Sequence, residues 1–179
     1  MSIIPQAIAL EPNSIYLSTK KLFMENRVHW AFIYVNDVGI VQRLHFQQKV
    51  GSYFSYQALV LPNGTLNVSG TDPFLIPMLG YFKLDNLSGS NATASAKFVH
   101  ENGEKMFDTH PIKPSEEVRC FNWTKKMLVC LGMKVEEVED VMSKILDSSL
   151  AKSQEFDTMY EEAIKKKEHS ITWNPLRVV

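Results

Sequence analysis

Two apolar rhythms divide this chain, and the change from one to the other is what most limits its fold. From Ser14 to Ser69 the sequence runs through SIYLSTKKLF, VHWAFIYVN, GIVQRLHFQQK, SYQALVL and TLNVS, rich in Val, Ile, Tyr and Phe. β-Branched and aromatic runs bounded by polar breaks are strand signals. Asn36 to Gly39 reads as a hairpin turn between two of them, and Leu61 to Gly64 as a second turn. Past Pro111 and Pro114 the spacing becomes helical. Ser115-Glu116-Glu117 offers a cap and first-turn acids; Thr124, Met127, Leu128 and Leu131 then follow a helical period up to a stop at Gly132. A second helix is expected on Val135, Val138, Met142, Ile145 and Leu146, and a third on Phe156, Met159, Tyr160, Ala163 and Ile164, ending in three lysines.

Strands first and helices last is an α+β order. The expectation is one domain over residues 1–179: an antiparallel sheet of about five strands from 15–100, followed by packed helices over 116–168. Residues 94–100, ASAKFVH, read as one more strand. Residues 70–93 read as a long apolar loop with Pro73, Pro77, Gly80 and Gly89, either a lid or, the preferred reading, a segment packed on the core.

Charge and composition exclude several functions. Nineteen Lys plus Arg against twenty Asp plus Glu give a net charge of -1, so no global basic field exists to hold a nucleic acid. Apolar runs break well short of the ~20 residues a membrane span needs, and no integral membrane segment is expected. The start, MSIIPQAIAL, lacks a basic n-region and contains Pro5, which does not read as a signal peptide. The sequons at Asn63, Asn67, Asn86, Asn91 and Asn122 are then turn-type Asn residues, and a cytoplasmic, reducing location with free thiols is expected.

Chemistry is sought among Cys and His. Cys120 falls at the start of the first expected helix, where backbone N–H groups and the dipole stabilise a thiolate; Arg119 adds a positive neighbour. Cys130 lies in apolar surroundings and reads as core. His29 and His45 fall in consecutive strand runs, so a hairpin brings both imidazoles to one region. His110 precedes Pro111 and is a candidate for the mouth of a site, whereas His100 and His169 read as surface residues. A cysteine with a histidine base and a third group orienting the imidazole is the core of thiol catalysis. The cysteines have neither zinc nor CxxC spacing; although zinc accepts His and Cys, no metal or cofactor is expected.

His29-Trp30-Ala31 in one strand, Leu44-His45 in the next, then Cys120 opening a helix, resembles the circularly permuted papain-like fold. The order is similar to that of lecithin:retinol acyltransferases, the NlpC-type superfamily and the H-Ras-suppressor-like phospholipase/acyltransferases. Cys120-Phe121-Asn122-Trp123 most resembles small fungal proteins with a His-Trp strand and a Cys-x-x-Trp helix. The resemblance spans roughly residues 15–131. It implies Cys120 as nucleophile, His29 as general base and acid, and His45 as the orienting member, with Trp30, Arg119, Trp123 and His110 about the substrate. Arg119 stands where the acyltransferases carry Asn. The implied function is a cysteine-dependent enzyme of acyl transfer, hydrolysis or small-molecule condensation or cyclisation, acting on a small-molecule or acyl substrate. The alternative is a non-catalytic binding module on the same scaffold, and fold alone does not transfer a substrate.

Overall fold

The computed structural model describes residues 1–22, 27–48, 54–61, 67–72, 76–107 and 119–178. Its strands are β1 (Ser2–Pro5), β2 (Ala7–Ala9), β3 (Ser14–Lys21), β4 (Val28–Val35), β5 (Val41–Gln48), β6 (Phe54–Val60), β7 (Asn67–Ser69), β8 (Met78–Lys83), β9 (Ser170–Trp173) and β10 (Leu176–Val178). The helices are α1 (Ala92–Asn102), α2 (Arg119–Cys130) and α3 (Val135–Lys165). A six-stranded sheet, ordered β10-β8-β3-β4-β5-β6, is antiparallel except where β10 joins β8 in parallel. The α+β class holds. Two small ribbons, β1 with β9 and β2 with β7, complete the strands.

The β4–β5 turn forms as the sequence predicts. Gly39 sits at a φ of 82°, open to glycine without strain, and its N–H donates to the Asn36 carbonyl at 3.1 Å. Helix α2 stops by the same chemistry: Gly132 has a φ of 97°, and the Met133 N–H returns to the Leu128 carbonyl at 3.2 Å.

Three expectations are corrected. Within 70–93, read as a loop preferably packed on the core, the segment does pack there, but Met78–Lys83 is a strand, β8, inside the sheet between β10 and β3. Its residues are buried on both sides, so they show no period-two alternation. Residues 94–100 are helical: Ala92, Ser95, Ala96 and Val99 are the buried positions of α1, spaced for one helix face. The two expected C-terminal helices are one continuous α3 of 31 residues, since nothing between Leu146 and Phe156 breaks the period. Strands β9 and β10 then return the chain to the sheets. The expected Ser115 cap lies outside the described residues.

Strand alternation assigns each side chain to a face. On one face, Ile15 and Leu17 of β3, Val28, Trp30 and Phe32 of β4, and Leu44 and Phe46 of β5 share a core with all three helices. Thr19 points the same way and bonds Ser149 of α3 at 2.8 Å. The opposite face carries Tyr16, Ile33, Val35, Val41 and Tyr81, which pack with Ile8 and Val68 of the β2–β7 ribbon into a second core. The sheet is thus covered on both sides, by helices on one and by a short ribbon on the other.

Candidate functional site

His29 alternates with Val28 and Trp30, and His45 with Leu44 and Phe46, so both imidazoles belong to the ribbon face. The hairpin brings them together: His29 Nε2 and His45 Nδ1 are 3.1 Å apart, with the rings edge-on. One nitrogen of each neutral ring donates and the other accepts, so this bond fixes complementary tautomers.

Cys120 lies in the first described turn of α2, as expected, but on the helix face. It belongs to the core of Val28, Trp30 and Phe32, is 5% exposed, and its Sγ meets the Val28 carbonyl at 4.0 Å. The His29 ring bonds His45 and makes no hydrogen bond to this sulfur, so the expected Cys–His dyad is not assembled. The thiol is pushed up from 9.0 to about 11, first by burial. Backbone N–H groups do act in the stabilising direction, first that of Trp30 in β4 and then those of Phe121 and Cys120 at the helix start, and they lose to desolvation. Cys130, expected in the core, is exposed. Iodoacetamide at pH 7.5 is therefore expected to label Cys130 within minutes and Cys120 only on unfolding, a rate ratio of about 100 or more read by peptide mass spectrometry. Fast labelling of Cys120 in the folded protein would reverse this assignment.

The remaining expected site residues do not gather around the histidines. Trp30 is fully buried and meets Phe121 edge to face at 5.4 Å. Trp123 is equally buried, edge-on to Phe32 at 5.7 Å, and donates its indole N–H to the Gly103 carbonyl at 2.9 Å. Both are helix-side core, which explains the Trp spacing without a substrate. Arg119 is half-buried beside Cys120 on the helix. His110 lies outside the described residues. His100 and His169 are exposed.

A polar cluster that the motif search missed surrounds the histidine pair. Arg43 shares the face of Val41 and His45 and is only 7% exposed. Lys20, opposite His29 in the β3–β4 ladder, bonds the Asp72 carboxylate at 2.8 Å. Asp72 is 5% exposed, and its other oxygen accepts the Ile76 N–H at 2.9 Å. Tyr81 donates its hydroxyl to the Ser69 carbonyl at 3.0 Å. Arg43, Asp72 and Tyr81, with Ile33, Val68 and Met78, line a cavity of about 320 Å³ between the sheet and the β2–β7 ribbon. The sequence signal was present: in VQRLHFQQ, a cation and a histidine two residues apart share a face with Val41.

Electrostatics keeps both imidazoles neutral. Burial depresses His29 well below the ordinary imidazole range, helped by His45, Lys20 and Arg43. His45 falls from 6.5 to about 3, first by burial, then by the Arg43 and Lys20 charges, against a smaller opposing pull from Asp72. Tyr81 is pushed up by burial, so it remains a phenol. Two buried nitrogens, Arg43 Nε and His45 Nε2, have no hydrogen-bond partner among the described residues.

Among the described residues no helix is long and apolar enough to cross a membrane, and no three His, Cys, Asp or Glu side chains gather as metal ligands. No family model, curated protein or solved structure matches this chain.

Proposed function

We propose that the protein is a small-molecule-binding module whose pocket is the cavity between the ribbon face of the sheet and the β2–β7 ribbon. The observation that carries this reading is Arg43: a guanidinium buried in the wall of a mostly apolar cavity, with its Nε unpaired among the described residues. The volume, about 320 Å³, falls at the small end of ligand pockets, which run from about 300 to 1,000 Å³. An apolar wall with a few convergent polar groups is the usual composition of such sites. Thiol chemistry needs the sulfur within hydrogen-bond reach of the imidazole, and here His29 bonds His45 while the Cys120 sulfur meets the Val28 carbonyl. The order His29, His45, Cys120 supports a permuted papain-like scaffold in this reading, used for binding rather than nucleophilic attack. Two free thiols suit a cytoplasmic location.

A fragment set screened by protein-observed NMR tests the proposal, with the methionine methyls as reporters. Met78 lines the cavity, whereas Met127 is buried beside Cys120's helix-side core. Bound fragments are expected to move the Met78 methyl, leave Met127 in place, and bind Cys120→Ala as they bind the wild type. Shifts at Met127 alone, or binding that disappears in Cys120→Ala while its spectrum stays folded, would overturn the reading.

A further inference from the structure

Resting on that binding reading, we infer that the cavity takes a small organic carboxylate with an apolar body, its carboxylate seated against Arg43. The charge census comes first. Among the described residues facing the cluster, Lys20 and Arg43 are cations and Asp72 is the carboxylate, while His29 and His45 are neutral. The balance is one positive charge in a poorly hydrated place. A buried charge without a counter-charge is costly, and an anion removes that cost.

Donor geometry narrows the class. Arg43 Nε can only donate. It has no partner among the described residues, and the guanidinium that carries it lines the cavity. A carboxylate has two acceptor oxygens for a guanidinium fork and the one negative charge the cluster lacks. Inorganic phosphate matches less well. It carries more charge than the cluster lacks and has nothing to set against Ile33, Leu61, Val68 and Met78 in the wall.

The test uses phenylacetate, hexanoate and benzoate, each against its neutral amide, with inorganic phosphate as a separate arm. Titration calorimetry gives affinity, and the Met78 methyl reports where binding occurs. At least one carboxylate is expected to bind about tenfold or more tightly than its amide, the difference a charge-assisted bond makes. In Arg43→Met that preference falls below about twofold, and Arg43→Lys, which keeps the charge but loses Nε, lies between. Should the methionine variant fail to fold, the wild-type Arg43 Nε ¹⁵N–H resonance carries the test, because a carboxylate must shift it and its amide must not. Amides binding as tightly as acids at Met78 would end the carboxylate inference and leave the pocket standing. Phosphate binding more tightly than every carboxylate would end it too. No compound moving Met78 would remove both.

Discussion

Between pH 7 and pH 5 the protein is expected to lose about 2 kcal/mol of stability through His45 alone. The sign follows from where the proton goes. His45 titrates near 3 when folded and near 6.5 when free of its surroundings. Between those values the unfolded chain binds a proton that the folded protein refuses, so lowering the pH favours unfolding. The stabilising contribution is whole above the unfolded value, shrinks by about 1.4 kcal/mol per pH unit within the window, and is gone near pH 3. His29, also held below its ordinary range, acts in the same direction. The groups facing His45 are Arg43 on its own strand, Lys20 on β3 and Asp72 after β7, and the two cations outweigh the acid. Working above pH 5 leaves most surface carboxylates, which titrate near 4, ionised. Urea midpoints at pH 7, 6 and 5 measure the slope, and His45→Gln is expected to remove His45's share of it. A variant with the full wild-type slope would show that His45 is not the group refusing the proton.

Histidine pairing was legible in the sequence, and the missing dyad was not, for one reason. A short turn at Asn36–Gly39 fixes which residues face each other across β4 and β5, and that local information placed His29 beside His45. Whether Cys120 meets the same face depends on which side of the sheet α2 covers, a long-range choice made by packing. Alternation in VHWAFIYV held a clue: Val28, Trp30 and Phe32 form the larger apolar side, where helices belong, and His29 falls on the other. A helix-start cysteine also suggested a thiolate, yet burial outweighs the backbone N–H groups once the sulfur is covered. Strand β8 and helix α1 were missed for opposite reasons. Burial on both faces erased the strand period in MLGYFK, and β-compatible Phe98 and Val99 masked the helical spacing of Ala92, Ser95, Ala96 and Val99. Lys20 and Asp72 lie 52 residues apart, and no local pattern announces such a pair.

Asp72→Ala is expected to cost about 3 kcal/mol or more, within the range for removing one member of a buried ion pair. The carboxylate does two things at once. It neutralises Lys20 at 2.8 Å, and it accepts the Ile76 N–H at 2.9 Å. Alanine removes both and leaves Lys20 and Arg43 facing each other's field without an acid between them. Asn at the same place keeps an acceptor for the Ile76 N–H and loses only the charge, so Asp72→Asn should fall between Ala and wild type. Adding Lys20→Met to Asp72→Asn removes a cation together with the anion. The double variant should then recover part of the loss, because an apolar pair can replace a buried ionic one at little cost. Binding should change in the opposite sense. With Asp72 neutral the cavity carries one more uncompensated positive charge, so a bound carboxylate is held more tightly, and saturating it restores stability in proportion to the logarithm of its concentration over Kd. Chemical denaturation of the three variants, with and without a carboxylate that binds the wild type, reads both effects. An Asp72→Ala protein within about 1 kcal/mol of wild type would mean that water, not Asp72, compensates the cations, and the charge balance that calls for an anionic ligand would lose its basis.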